Sequence, residues 1–194
     1  MSATIRDVTY ALRQGKLIAL ADETGWSVAA DPINDAAVAQ LLTLRSLMPD
    51  GPPPTVLIQN TDGLILYVAK LPDVAYDLVE FAENPLTVVF EGGKNVAPAL
   101  WSASGNGPAG ALNGTSFDQP AAGELAVRRS LNAEVQRLIG GFGRGLLTLP
   151  FESLTLPPAA EALAAERFGT LPTAPKRPRI LRLNGNGEFV FIRK

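Results

Sequence analysis

The chain contains neither cysteine nor histidine. Without cysteine there is no disulfide and no thiolate metal site, and nothing argues for one redox compartment over another. Without histidine the commonest general base and the commonest metal ligand are missing, and with them every Ser-His or Cys-His mechanism. Any metal would be a hard cation such as Mg²⁺, held by carboxylates and phosphates. An excess of one charge is lacking too. The 17 Lys and Arg nearly balance 19 Asp and Glu, so no broad attraction to nucleic acid follows, although a local basic groove remains open. No apolar run approaches the length of a membrane span. The N-terminal stretch MSATIRDVTYALRQG puts an arginine and an aspartate ahead of a short amphipathic run and does not read as a signal peptide, so a cytoplasmic protein is expected.

What the chain does have is enough length and apolar content for a substantial core. Its 194 residues suit a single domain spanning 1–194, and 46% apolar composition argues against disorder. Strand and helix patterns alternate along it. Ser2 or Thr4 can cap a first helix with Ile5, Val8 and Leu12 on its apolar face, stopped by Gly15. KLIAL, from Lys16, suits a buried strand running into a polar turn that carries Asp22, Glu23 and Thr24. Asn34 or Asp35 caps a second helix, DAAVAQLLTLRSL, ended by the prolines of MPDGPPP. TVLIQN and LTVVFE read as strands, with a short helix over 61–70 and a better one over PDVAYDLVEFAE between them. Residues 101–123, rich in Gly, Ser, Asn and Pro, read as a long surface loop. ELAVRR is a strand and LNAEVQRLIGGFG a helix. GLLTLP is a strand ended by Pro150, and PPAAEALAAERFG an alanine-rich helix closed by Gly169. The last segment, KRPRILRLNGNGEFVFIRK, reads as a hairpin turning about Asn184–Gly187. The sum is an α/β protein with a mixed sheet.

Four stretches can carry chemistry. Asp22, Glu23 and Thr24 follow a strand, where ligands of α/β sheets collect; the alternative is a solvated turn with Trp26 packed on the core. Arg45 lies near the end of the second helix, where an arginine can hold an anion or simply face the helix dipole. Arg128 and Arg129 are neighbours on one strand, so only one of them can enter a shared cleft. Lys176, Arg177, Arg179 and Arg182 give a local basic footprint for phosphate or RNA, or a solvated strand edge. Glu91, Gly92, Gly93 and Lys94 lack the spacing of a phosphate-binding P-loop.

In order and spacing, GKLIALADETGWSVAADP, NPLTVVFEGGKN and ELAVRR resemble the YrdC-like family, the enzymes that make threonylcarbamoyl-adenylate for tRNA modification. PDVAYDLVEFAENPLTVVFEGGKNVAPAL is the strongest block of likeness. The resemblance implies an open, twisted mixed sheet flanked by helices around a central cleft. It also implies a reaction joining threonine, bicarbonate and ATP with Mg²⁺, and binding of tRNA or double-stranded RNA. It places Thr24, Arg45, Arg128 and Thr148 against nucleotide, with Asp22 or Glu23 bridging a metal. The polar signature, however, is altered. The family's Pro-Thr-(Asp/Glu)-Thr is here Ala21, Asp22, Glu23, Thr24. Its Lys-x-Arg is Arg45, Ser46, Leu47, and neutral Leu47 cannot hold phosphate. Its Ser-Thr-Ser-Ala-Asn is Thr148, Leu149, Pro150, Phe151, Glu152, which removes a backbone donor and adds bulk and negative charge. Near the C-terminus Arg177, Pro178 and Arg179 replace a Pro-Ser-Thr. Three readings follow: a binding module for nucleotide or RNA without the full synthase activity, an active synthase with a rearranged site, and an interaction protein that keeps only the fold.

Overall fold

Helix starts fall where small polar residues can cap them. Thr4 accepts a hydrogen bond from the Asp7 amide and Asp7 accepts one in return, a reciprocal cap that opens α1 (Ile5–Arg13) and holds the Asp7 carboxyl below its usual range. Asn34 caps α2 (Asp35–Thr43) through the Ala37 amide, and Asn132 caps α6 (Ala133–Phe142), which ends on Gly143 in the left-handed region. The other helices are α3 (Leu64–Tyr67), α4 (Val74–Glu80), α5 (Pro98–Gly105) and α7 (Pro158–Leu163). The strands are β1 (Leu17–Asp22), β2 (Gly25–Ala30), β3 (Thr55–Ile58), β4 (Leu86–Phe90), β5 (Leu125–Arg129), β6 (Leu146–Pro150), β7 (Ala164–Phe168), β8 (Arg179–Leu183) and β9 (Phe189–Arg193). This computed structural model describes residues 3–105 and 123–194.

All nine strands join one mixed sheet, in the order β7-β1-β2-β6-β3-β5-β4-β8-β9. Alternation along each strand splits the apolar residues between its two faces. One face packs Val28, Leu147, Val56, Val127, Val88 and Leu181 against α2 to α5 and α7. On the other, α1 and α6 lay Val8, Leu12, Val135 and Leu138 over Ile18, Leu20, Ala29 and Leu57. Each such fully buried side chain contributes roughly 1.5–3 kcal/mol. Beyond α1 and α6 the second face carries only a small apolar patch, Val89, Ala126 and Ile180, and here the polar residues gather.

Four expectations change. Asp22 belongs to β1 rather than to a turn, and Gly25–Ala30 form a strand hairpinned onto it, because Asp22 pairs directly with Gly25. The alanine-rich helix stops at Leu163, and Ala164–Phe168 run parallel to β1 instead; pairing with an open sheet edge overrides the helix propensity of Ala and Glu. Residues 101–105 of the expected loop belong to α5, and 106–122 lie outside the described residues. α2 ends at Thr43, so Arg45 sits in a following 3-10 turn (Leu44–Leu47) rather than on the helix. The final hairpin forms as expected, closed by Asn184 and Glu188 with Gly187 at φ 89°.

Candidate functional site

A charged knot lies on the second face. Arg128 lies in register with Leu57 on β3 and Thr87 on β4, facing away from the helix layer of Arg129. Its guanidinium donates to Asp22 Oδ2 at 2.6 Å and to Glu23 Oε1 at 2.5 Å. Arg128 is 2% exposed and Asp22 0%. Burial pulls the guanidinium toward its neutral form, but Asp22 and then Glu23 overcome this and raise it above the ordinary arginine value. The second oxygen of Asp22 accepts both the backbone N–H and the hydroxyl of Thr24, each at 2.7 Å. Both oxygens of Asp22 are thereby engaged. Glu23 Oε1 also accepts the Leu131 amide at 3.1 Å, tying the hairpin turn to the start of α6, whereas Glu23 Oε2 is buried with no hydrogen-bond partner among the described residues. Arg129 faces the other way and donates to the carbonyls of Val79 and Glu80 at the end of α4. Of the two neighbouring arginines, Arg128 alone enters the cleft, as strand alternation requires.

Next to the knot runs a seam of buried hydroxyls. Thr148 donates to the Thr55 carbonyl at 2.8 Å, Thr55 to the Pro53 carbonyl at 2.8 Å, and Ser27 to the Leu20 carbonyl at 3.2 Å. Each hydroxyl has spent its proton on main chain and keeps only acceptor capacity. The next wall is Phe151 and Glu152. Trp26 N–H donates to the Ser153 carbonyl and Phe151 N–H to the Trp26 carbonyl, stitching this segment to β2. The stitch needs Gly25, whose φ is +101°; a Cβ there would lie 2.4 Å from the Ser153 carbonyl oxygen. Glu152 takes the left-handed conformation at φ 52°, which is uncommon for a residue with a side chain. Its carboxylate receives the two terminal nitrogens of Arg193, and Arg177 stands 3.5 Å away.

The remaining candidates are dispersed. Arg45 donates to the carbonyls of Gly51 (2.8 Å) and Pro52, so it braces the proline-rich loop. Lys176 meets the hairpin turn through its backbone N–H, which donates to the Glu23 carbonyl. Arg179 and Arg182 lie on opposite faces of β8, and Arg182 pairs with Glu124 at 2.9 Å. The basic run is thus split between two faces, with Lys176 and Arg177 exposed before the strand. Among the described residues, no group of three or more acidic side chains is placed to hold a metal ion. Trp26 packs partly on the core, with the Arg167 guanidinium 5.8 Å from its ring centre. Three participants escaped the sequence reading, Thr55 among them, which opens a strand with no sign of its role. Ser27 has a polar side chain alternating with Trp26 and Val28, a signal that was available. Arg193 ends the last strand and carries no local sign of its distant partner.

Comparison with known proteins assigns this architecture. Residues 10–150 match the family model Sua5_yciO_yrdC, described as telomere recombination. The chain belongs to the Sua5/YciO/YrdC family. It is 28% identical over 163 residues to the threonylcarbamoyl-AMP synthase of Halorhodospira halophila (strain DSM 244 / SL1), covering 73% of this chain and 85% of that protein. Among solved structures it is similar to P. abyssi Sua5 complexed with L-threonine, with a TM-score of 0.70 at 20% identity, over 97% of this chain and 53% of that one. It therefore spans about half the length of that Sua5. E. coli YciO superposes with a TM-score of 0.70 at 18% identity, over 98% of this chain and 88% of that one. Likeness at these identities carries the fold: the twisted mixed sheet flanked by helices. No helix among the described residues is long and apolar enough to cross a membrane.

Proposed function

We propose that this protein is a binding member of the Sua5/YciO/YrdC family that takes a small amino-acid-like ligand and does not carry the complete ATP-dependent synthesis. One observation carries the reading: the arginine at the heart of the cleft is already neutralised from within, by Asp22 and Glu23. A triphosphate held in this cleft would have to displace two carboxylates from Arg128 and then lie against them, at a large electrostatic cost in a desolvated site. Arg45, the other cation that the resemblance sets against phosphate, is occupied by loop carbonyls. Both carboxylate oxygens of Asp22 are committed, so it is not disposed to bridge Mg²⁺.

What the cleft offers is acceptors. The hydroxyls of Ser27, Thr55 and Thr148 have donated to carbonyls, and Glu23 Oε2 has no partner among the described residues. The three charges of the knot sum to −1. A ligand bearing an ammonium and a hydroxyl suits such a lining, and the complex of P. abyssi Sua5 with L-threonine supports the amino-acid class. Binding of tRNA or double-stranded RNA draws less support, since the cations from Lys176 to Arg182 do not converge on one surface.

Calorimetric titration of L-threonine and of Mg-ATP, with a pyrophosphate-release assay, tests the reading. The expected result is saturable threonine-class binding with no pyrophosphate. Asp22→Thr, which uncovers one side of Arg128, is expected to gain affinity for pyrophosphate. ATP- and threonine-dependent turnover by the unaltered protein would sink the proposal. It would establish the second reading, an active threonylcarbamoyl-AMP synthase, which the match to 85% of the Halorhodospira enzyme favours.

A further inference from the structure

The two margins of the sheet are built differently. At one, β7 carries Glu166 and Arg167, and the Arg167 carbonyl accepts the Ala3 amide at 3.0 Å, so charge and chain both occupy that margin. At the other, β9 presents Phe189, Val190, Phe191 and Ile192 in succession, and among the described residues no strand lies beyond it. Those four positions hold no proline and no charge, two of the devices that ordinarily keep an edge strand from pairing, and the one irregularity of β9 on β8 is a register shift after Phe191. Val190 is 70% exposed. Phe189 and Phe191 lie on one side of the strand, their rings edge to face with centroids 6.0 Å apart. On that side a groove of about 270 Å³ opens between Leu78 of α4, Phe81 just after that helix and Leu181 of β8, and Phe81 is itself 76% exposed. A patch of this kind beside bare backbone donors and acceptors suits an added strand with apolar side chains at alternate positions.

We propose that the added strand is β9 of a second copy of this chain, paired antiparallel about a twofold axis, so that one sheet runs through both molecules. Charge selects this occupant. Glu188 precedes the apolar run and Lys194 follows it, beyond Arg193, whose guanidinium is engaged by Glu152 of its own chain. Antiparallel pairing of the strand with itself sets the acidic end of each copy against the basic end of the other, twice over. Parallel pairing would bring like charges together. The period-2 pattern fixes the register further. When Phe191 faces its own counterpart, the phenylalanine rows of both copies share one face, flanked by the two Phe81 rings. Val190 then meets Ile192, and Glu188 faces the Lys194 end. A twofold interface must match itself in this way, residue against residue.

Sedimentation of the full chain over a concentration series tests the proposal, with dimer expected as twice the 20.5 kDa mass. Val190→Lys places like charges across the axis and is expected to raise the dimer dissociation constant by more than about tenfold. Because Val190 is exposed, its circular dichroism should not change. Glu188→Lys should weaken the dimer, and adding Lys194→Glu should restore it. The absence of native cysteine allows a further arm. Phe191→Cys, which faces its own counterpart in this register, should cross-link into a covalent dimer on mild oxidation, whereas Glu166→Cys on the opposite margin should not. A wild-type monomer at every concentration would overturn the proposal. So would a dimer indifferent to Val190→Lys and to the charge exchange, which would place the contact elsewhere.

Discussion

Two ion clusters border the cleft, and they use the same chemistry in different solvents. The inner one joins Arg128 to Asp22 and Glu23 with almost no exposure. The outer one joins Glu152 to Arg193 and Arg177, and Arg177 is 74% exposed. For the inner cluster desolvation dominates: its members are stable together and costly apart. In the outer one water can replace Arg177, which therefore contributes little, whereas Glu152 and Arg193 are 12% and 18% exposed and hold each other through two hydrogen bonds. The inner cluster therefore acts as structure, joining the end of β1, the middle of β5 and, through the Leu131 amide, the start of α6. In the outer cluster Arg177 is the group whose charge can change without consequence for the fold.

That contrast can be broken from several sides. Arg128→Ala should have the largest effect, about 3–5 kcal/mol of lost stability, because it strands the Asp22 charge in the interior. A fall in the urea midpoint would show it, and a loss under about 1 kcal/mol would mean that the knot is better hydrated than its geometry implies. Asp22→Asn should cost less, about 1–3 kcal/mol, since Asn still accepts from Thr24 and Arg128 keeps Glu23. Glu152→Ala should cost about 1–2 kcal/mol, because the largely buried Arg193 loses the partner of both terminal nitrogens and retains only the Pro178 carbonyl. Arg177→Ala should stay within about 0.5 kcal/mol. A loss from Glu152→Ala as large as that from Arg128→Ala would erase the distinction between the clusters.

Tyr67 supplies an uncharged counterpart to the inner knot. Burial pushes its phenol up to about 12 from 10.0, with the Gly145 amide opposing. A folded value above the unfolded one gives stability that is complete below pH 10 and lost as pH rises from 10 toward 12. Alkaline unfolding followed by tyrosinate absorbance should show this loss, and Tyr67→Phe should reduce it.

Much of this framework could be read from residue order. The caps at Thr4, Asn34 and Asn132, the glycine stop after α6 and the terminal hairpin are local devices, and each stands where its chemistry predicts. β2 was hidden because Asp22 to Thr24 look like a solvated turn, although Trp26, Val28 and Ala30 already alternate with Ser27 and Ala29 in the manner of a strand. β7 was hidden for the opposite reason: Ala164–Phe168 continue a helix-forming composition, and only the exposed edge of β1 decides against it. The site was the least legible part. Its residue types were visible, but Asp22 and Arg128 are 106 positions apart, and no local pattern announces their pairing. Arg45 was expected on the second helix and lies just beyond it, and its acceptors are the carbonyls of a loop whose path cannot be read from its prolines.

The seam between β2 and residues 151–153 has a practical meaning for anyone redesigning this pocket. Main-chain bonds and the glycine at 25 hold that wall in place, while the Glu152 carboxylate is only mounted on it. A neutral residue at 152 would remove the negative charge of that wall while the main-chain bonds keep its path.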